Sequence, residues 1–478
     1  MEDLIIIGGG VCGCSLLYET SRYNISALLL EKENDVACGT TKANSGVVHA
    51  GYDPEPGTKA ARFNVEGNGI IEKLSADLDI PYKKTGSLVV GYDETDKETI
   101  QKLFEKGCKN GVSGLEIISG ERLFRLEPNL SRKIICALYA PSGGIVSPWE
   151  LALAQAECAV QGGAKIELEC EVTAIKKENS FFIVTTNKGE FKTRRLVNAA
   201  GVHSDTVSRM AESGHFTITP RSGEYYILDT TEAGLINRVV FPCPSKKGKG
   251  VLIAPTVHGN IIVGPDSKRY AKDDFSTTAA GLEFIRNSAL RCVPSINFAS
   301  SIRNFAGIRA IAVDDNNDFI IGESKERCGF FNIAGIKSPG LTAAPAIAKE
   351  IVKLLHASGL SDKPNPAFVG KRRVIRFNEL GEAEKKRLVR ENPLYGTIVC
   401  RCETVTEGEI INAFNRPLPP RSVDALKRRC RPGMGRCQGS FCSPKIISLI
   451  AAHYNIPPEE VPLDRSGMYI ITGETKRA

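Results

Sequence analysis

One stretch at the N-terminus constrains this chain more than any other. MEDLIIIGGGVCGCSLLYETSRYNISALLLEKE reads as a strand, a glycine turn, a helix and a second strand. Gly8, Gly10 and Gly13 form G-x-G-x-x-G directly after the apolar run Leu4–Ile7, and Glu31 closes the second run, Ala27–Leu30. Each residue type has a physical reason. Gly8 permits a tight turn, Gly10 lets backbone approach a pyrophosphate, and Gly13 allows close helix–strand packing. The helix N-terminus then faces the phosphates, and Glu31 accepts from a ribose hydroxyl. A glycine triplet alone is weak. With strand, helix and acid in place, the stretch is predicted to bind a dinucleotide, without separating FAD from NAD.

Three later segments extend the reading. TTKANSGVVHAGYDPEPGTKAARFNVEGN is a small, polar loop soon after the first nucleotide unit. LVNAAGVHSD (Leu196–Asp205) runs from a strand into small residues, and GFFNIAGIKSPGLTAAPAIAKEIV repeats strand, glycine turn and helix. Pieces so far apart suit an extended FAD laid across one domain, with the last helix N-terminus beside the isoalloxazine ring. The motifs GGGVCG, NSGVVHAGY, VNAAG, FAGIRA and AGIKSPGLTAAPAIA, over roughly residues 1–365, resemble the D-amino-acid-oxidase-like FAD superfamily. Within it they are most similar to the FAD-dependent (type 2) glycerol-3-phosphate dehydrogenases and the related L-2-hydroxyglutarate dehydrogenases. The resemblance implies FAD contacts at Gly8, Gly10, Gly13, Glu31, Thr40, Thr41, Ser45, Val172, Ala200, Gly201, Gly335, Gly340, Leu341 and Thr342.

Flavin-dependent oxidation of a secondary alcohol needs a base for the hydroxyl proton, a C–H aimed at flavin N5, and an anchor for the rest of the substrate. His49 is the candidate base, a residue type whose ordinary pKa of ~6.5 suits neutral pH; the resemblance implies the same role. Arg309 in FAGIRA is the first candidate anchor for a small anionic substrate, ahead of Lys249 and Arg303, because an arginine fork matches an oxyanion bidentately. Ser338 either hydrogen-bonds substrate or flavin or caps the following helix. The remaining histidines show no spacing that suggests a metal site.

The C-terminal part changes character. Cys400, Cys402, Cys437 and Cys442 are paired as C-x-C, 34 residues, C-x₄-C, with Cys430 as an extra expected to be a free thiol. Four thiolates suit tetrahedral zinc or an iron–sulfur cluster. The spacing, with RCETVTEGEI and RPGMGRCQGSFC, resembles the bacterioferritin-associated-ferredoxin-like [2Fe–2S] domain, which implies these four cysteines as ligands. The expected architecture is therefore α/β (α+β overall). A Rossmann-type FAD-binding domain (1–81, 146–205 and 311–366) is interleaved with an antiparallel β-sheet substrate domain (82–145 and 206–310). A linker (367–395) then leads to a small helical [2Fe–2S] domain and tail (396–478).

A one-electron relay suits a dehydrogenase better than an oxidase, so a separate electron-accepting subunit or quinone-linked acceptor is the expected partner. Oxidation of a 2-hydroxy acid, oxidation of an amino acid or amine, and a non-catalytic redox-sensing or assembly subunit remain open. Residues 370–436 hold 16 Lys/Arg against 8 Asp/Glu, while the rest of the chain is balanced. No nucleic-acid fold accompanies this excess. A counterweight to an anionic cluster, a docking face for an acidic partner, or a plain solvated face would account for it. The first strand begins at once and no apolar run reaches the ~20 residues of a membrane span. A cytoplasmic location is expected, with membrane contact at most peripheral.

Overall fold

The computed structural model describes residues 1–244, 250–269, 271–313 and 318–473. Four parallel strands, Lys165–Glu167, Ala27–Leu30, Glu2–Ile7 and Gly189–Asn198, form the centre of an eight-stranded sheet. The last forks: its C-terminal end pairs with Phe330–Ala334, in parallel, and its first half with Phe181–Thr186, antiparallel. Leu4, Ile6, Leu29 and Val197 are fully or nearly fully buried, as central strands covered on both faces must be. Helices Val11–Thr20 and Gly340–Ala357 pack over one face, and Ser204–Met210 lies on the other. Helix Lys59–Leu78 joins the first group. Its start is held by Thr58 Oγ1, which accepts from Ala61 N–H, and by Asp318, which accepts from the Lys59 and Ala60 N–H groups.

A second sheet of nine strands draws on residues 87–312. Its longest pairing is antiparallel, Ile218–Leu228 against Ser301–Ala312. One pair departs from the antiparallel expectation: Ser87–Gly91 runs parallel to Val239–Pro242. These strands come from either side of the intervening dinucleotide-type segment, and a long crossover removes the hairpin constraint that enforces antiparallel pairing.

The C-terminal unit has its own core, in which Val405, Ile410, Leu426, Ile446 and Ile450 meet between a short hairpin (Ile398–Cys400 with Val405–Thr406) and three helices. The first, Glu407–Phe414, opens on a capping box of Thr406 and Glu409. Between this core and the large sheets, residues 371–376 act as a strap. Arg372 pairs with buried Glu157 at 2.6 Å, and Arg376 with Asp79 and Glu150. These two arginines of the basic segment are thus matched by acids of the first sheet's layers rather than presented to solvent. Among the described residues no helix is long and apolar enough to cross a membrane.

Candidate active site and cysteine site

The glycine turn lies at the carboxyl ends of the parallel strands, where open α/β sheets bind ligands. Gly8 has φ +108°, and a Cβ there would meet the Ala199 carbonyl oxygen at 2.5 Å. A Cβ on Gly13 would fall 1.9 Å from the Gly8 carbonyl oxygen, so helix and turn are in direct backbone contact. At Gly10 a Cβ would meet only Thr41 Oγ1, at 3.4 Å. The outer side of the turn is open, as a pyrophosphate requires. Thr41 Oγ1 accepts from Val11 N–H, while Thr40 Oγ1 donates to the Ile308 carbonyl across on the second sheet. Ser45 follows Asn44, whose side chain donates to the Thr40 and Thr41 carbonyls and accepts from Gly46 N–H.

Glu31 is buried and accepts from Gly9 N–H at 2.5 Å and Glu33 N–H at 2.9 Å. Burial pushes its carboxyl up to about 6, against the pull of those two donors. Val172 and Ala200 pack with Ile7 and Leu30 at the same strand ends, and Gly201 begins the turn that follows. Gly335 lies in the turn after Phe330–Ala334, and Gly340, Leu341 and Thr342 open the helix beyond it.

His49 is fixed through its backbone. Its N–H donates to Thr342 Oγ1 at 2.9 Å, and its carbonyl accepts from Asn64 Nδ2 (2.7 Å) and Asn68 Nδ2 (3.1 Å). Its Nε2 stands 3.1 Å from Ser338 Oγ, and its ring stacks on Phe241 at 5.8 Å. The ring lines two adjoining clefts. One is bounded by Tyr52, Asp53, Asn64 and Ser338, the other by Leu103, Phe241 and Pro244. The structure therefore brings His49 and Ser338 together.

Arg309 is outside both clefts. Its Nη2 donates to the Ser222 and Asp266 carbonyls at 3.0 Å each and its Nε to the Arg221 carbonyl, leaving Nη1 without a hydrogen bond among the described residues. Arg303, on the same strand, contacts Gln438 of the C-terminal unit instead. Lys249 lies outside the described residues. Sequence reasoning missed Asn44, Asn64, Asn68 and Phe241. The i, i+4 spacing of Asn64 and Asn68 on one helix face was the available signal.

The four cysteines fall into two pairs. Cys402 and Cys437 have their Sγ atoms 3.7 Å apart, close to the roughly 3.8 Å that two thiolates on one tetrahedral centre with ~2.3 Å bonds require. Cys400 and Cys442 hydrogen-bond one another inside the core. That bond, with the Gly433 and Glu403 N–H groups, lowers the Cys400 thiol against burial, while the same bond and burial raise Cys442. Among the described residues no three His, Cys, Asp or Glu side chains converge as a single ion needs. Two separate pairs fit a dinuclear cluster with two thiolates per iron. Cys402 is exposed, and beside Cys442 the Phe441 ring is 86% exposed, so one edge of the site meets solvent. Cys430 stands apart: its thiol donates to the Leu426 carbonyl, and burial pushes it up to about 12.

Fold, glycine turn and paired thiols together define a flavoprotein oxidoreductase with an appended iron–sulfur unit. The chain belongs to the FAD dependent oxidoreductase family, whose model matches residues 3–354, and a BFD-like [2Fe-2S] binding domain matches residues 398–452. It is 45% identical over 478 residues to a glycerol 3-phosphate dehydrogenase of Caloramator mitchellensis, covering 100% of this chain and 99% of the relative. A glycerol 3-phosphate oxidase of Mycoplasma genitalium is 34% identical, covering 74% of this chain and 94% of its own. The solved L-alpha-glycerophosphate oxidase of Mycoplasma pneumoniae with FAD bound superposes with TM-score 0.74 at 32% identity, covering 78% of this chain and 99% of that one.

Proposed function

We propose that this protein is a dehydrogenase that oxidises sn-glycerol 3-phosphate to dihydroxyacetone phosphate and delivers the electrons to a separate acceptor. One observation carries the reading. The relative named a glycerol 3-phosphate dehydrogenase matches the whole chain, cysteine unit included, whereas the glycerol 3-phosphate oxidase of Mycoplasma genitalium matches 74% of it. When bound, FAD supplies the two-electron acceptor for the carbinol hydride, and a [2Fe–2S] cluster carries electrons singly.

His49 Nε2 takes the proton from the C2 hydroxyl as the C–H bond breaks and the carbonyl forms. Ser338, 3.1 Å away, orients the imidazole and hydrogen-bonds the same oxygen. Arg309 holds the phosphate with Nη1, its guanidinium plane set by three carbonyls; Lys249 is the other candidate anchor and lies outside the described residues. Gly8, Gly10, Gly13, Glu31, Thr40, Thr41, Ser45, Val172, Ala200, Gly201, Gly335, Gly340, Leu341 and Thr342 hold the FAD. Cys400, Cys402, Cys437 and Cys442 hold the cluster.

The test is an anaerobic visible-spectrum titration of the holoenzyme with glycerol 3-phosphate, L-2-hydroxyglutarate and a panel of amino acids. Flavin bleaching by glycerol 3-phosphate is the expected result. Bleaching only by a carboxylate or an amino acid would refute the substrate assignment, and no bleaching at all would refute catalysis.

Glu31 adds a pH signature. A carboxyl raised to about 6 is protonated below that pH, and the ionised form is the better acceptor for a ribose hydroxyl. FAD affinity is therefore expected to fall as pH drops through about 6, by at most about tenfold per pH unit for one linked proton. Flavin fluorescence recovered on release measures it, and Glu31→Gln should flatten the profile.

A further inference from the structure

The C-terminal unit is seated on the dinucleotide-type layer through a buried charge cluster that neither flavin nor cysteine chemistry uses. Asp35, 2% exposed, follows Glu31 in the loop that returns to the glycine turn. Its carboxylate accepts from Arg428 Nη2 (2.9 Å) and Nε (3.3 Å), and from Arg429 Nη1 (2.8 Å) and Nη2 (2.9 Å). Both arginines are themselves buried. Arg428 Nη1 also reaches Asp464, which takes Lys42 as well, and Arg429 Nε donates to the Leu418 carbonyl. Burial works to raise the Asp35 carboxyl, but Arg429 and Arg428 hold it down to about 2, so it stays ionised.

This cluster joins two sites. On one side, Ala37 N–H donates to the Gly9 carbonyl at 2.8 Å, tying the Asp35 loop to the glycine turn. On the other, Arg428 and Arg429 end the helix Val423–Cys430, which leads directly into the loop carrying Cys437 and Cys442. A second seat, Arg436 on Asp229, has an exposed arginine, and water and salt screen such a pair, so it holds the unit only weakly. Buried pairs differ: their net stabilisation is small, but removing one partner strands an uncompensated charge inside the protein and is strongly destabilising.

We propose that Asp35 is a positioning residue: by gripping Arg428 and Arg429 it makes FAD binding at the glycine turn and docking of the cysteine-bearing unit one coupled event. Coupling of this kind is reciprocal. FAD orders the Asp35 loop and so favours the docked unit, and the docked unit holds the loop in its FAD-binding shape. The inference rests on the reading that FAD lies on the Gly8–Gly13 turn.

The test uses the full chain as wild type, Asp35→Asn and Asp35→Glu. FAD affinity is measured by flavin fluorescence, and limited proteolysis is run with and without FAD. Asp35→Asn is expected to weaken FAD binding about tenfold, within the usual range of coupling between sites, and Asp35→Glu to recover part of it. In the wild type, FAD should slow cleavage within residues 377–440. At saturating FAD the Asn variant should keep wild-type flavin bleaching by substrate but show slower appearance of the reduced-cluster EPR signal. Unchanged affinity in Asp35→Asn, or wild-type cleavage indifferent to FAD, would overturn the coupling; the second measurement needs no variant to fold. Failure of the FAD placement would look different: Glu31→Gln would then leave wild-type affinity untouched.

Discussion

Replacing His49 with glutamine is expected to lower kcat/KM for glycerol 3-phosphate by roughly 10²–10⁴, the usual contribution of a positioned general base, while FAD content stays at the wild-type level. The separation is argued from the backbone. The His49 N–H and carbonyl are held by Thr342, Asn64 and Asn68 through hydrogen bonds that do not involve the imidazole nitrogens. A side-chain change therefore leaves the loop, and the FAD path beside it, in place. Glutamine can still hydrogen-bond Ser338 but cannot accept a proton near neutral pH. Single-turnover flavin bleaching reads the chemical step directly, and flavin released on denaturation reads occupancy. A variant that bleaches at the wild-type rate would remove His49 from the reaction.

The second large effect concerns electron exit. In the full chain, Cys400→Ser with Cys442→Ser is expected to abolish the [2Fe–2S] absorbance and bound iron, and to reduce turnover with the physiological acceptor to background. Flavin bleaching by substrate should persist at saturating FAD. The inner pair is the better choice because Cys400 and Cys442 are buried in the core of the small unit, 1% and 2% exposed, whereas Cys402 is open to water that could replace a lost ligand. The reading of the cysteine unit as a relay fails if acceptor turnover survives loss of the iron. Iron analysis and acceptor-coupled assays on the same preparation decide it.

What could be read along the chain and what could not divide by the range of the interaction. The glycine turn, the strand before it and the acid after it are local, because sterics at Gly8 and Gly13 and burial of Leu4–Ile7 act within a few residues. Dinucleotide binding, a four-thiolate site and the α/β class follow from such short motifs; FAD and the [2Fe–2S] cluster came from the resemblance to known families. The long central pairing Ile218–Leu228 with Ser301–Ala312 joins segments some 80 residues apart. Alternation alone marks these as strands but does not choose their partners. The parallel pair Ser87–Gly91 with Val239–Pro242 was invisible for the same reason. The basic segment shows the opposite hazard. A count of charges left a counterweight to a cluster, a docking face and a plain solvated face all open, and it could not show that Arg372, Arg376, Arg428 and Arg429 bind Glu157, Asp79, Glu150 and Asp35. Charge composition records how many arginines there are, not which acids they meet.

By itself, the sequence determined the dinucleotide turn and the paired-thiol unit, because each is written in spacings that backbone geometry and ligand chemistry enforce locally, while the flavin family came from a resemblance carried by motifs spread over residues 1–365. Only the tertiary structure decided that Ser338 comes to His49 across almost three hundred residues, that Arg309 is committed to three carbonyls, and that Asp35 joins the glycine turn to the cysteine helix. Those contacts depend on burial and on which surfaces exclude water together, and such properties exist only once the chain has folded.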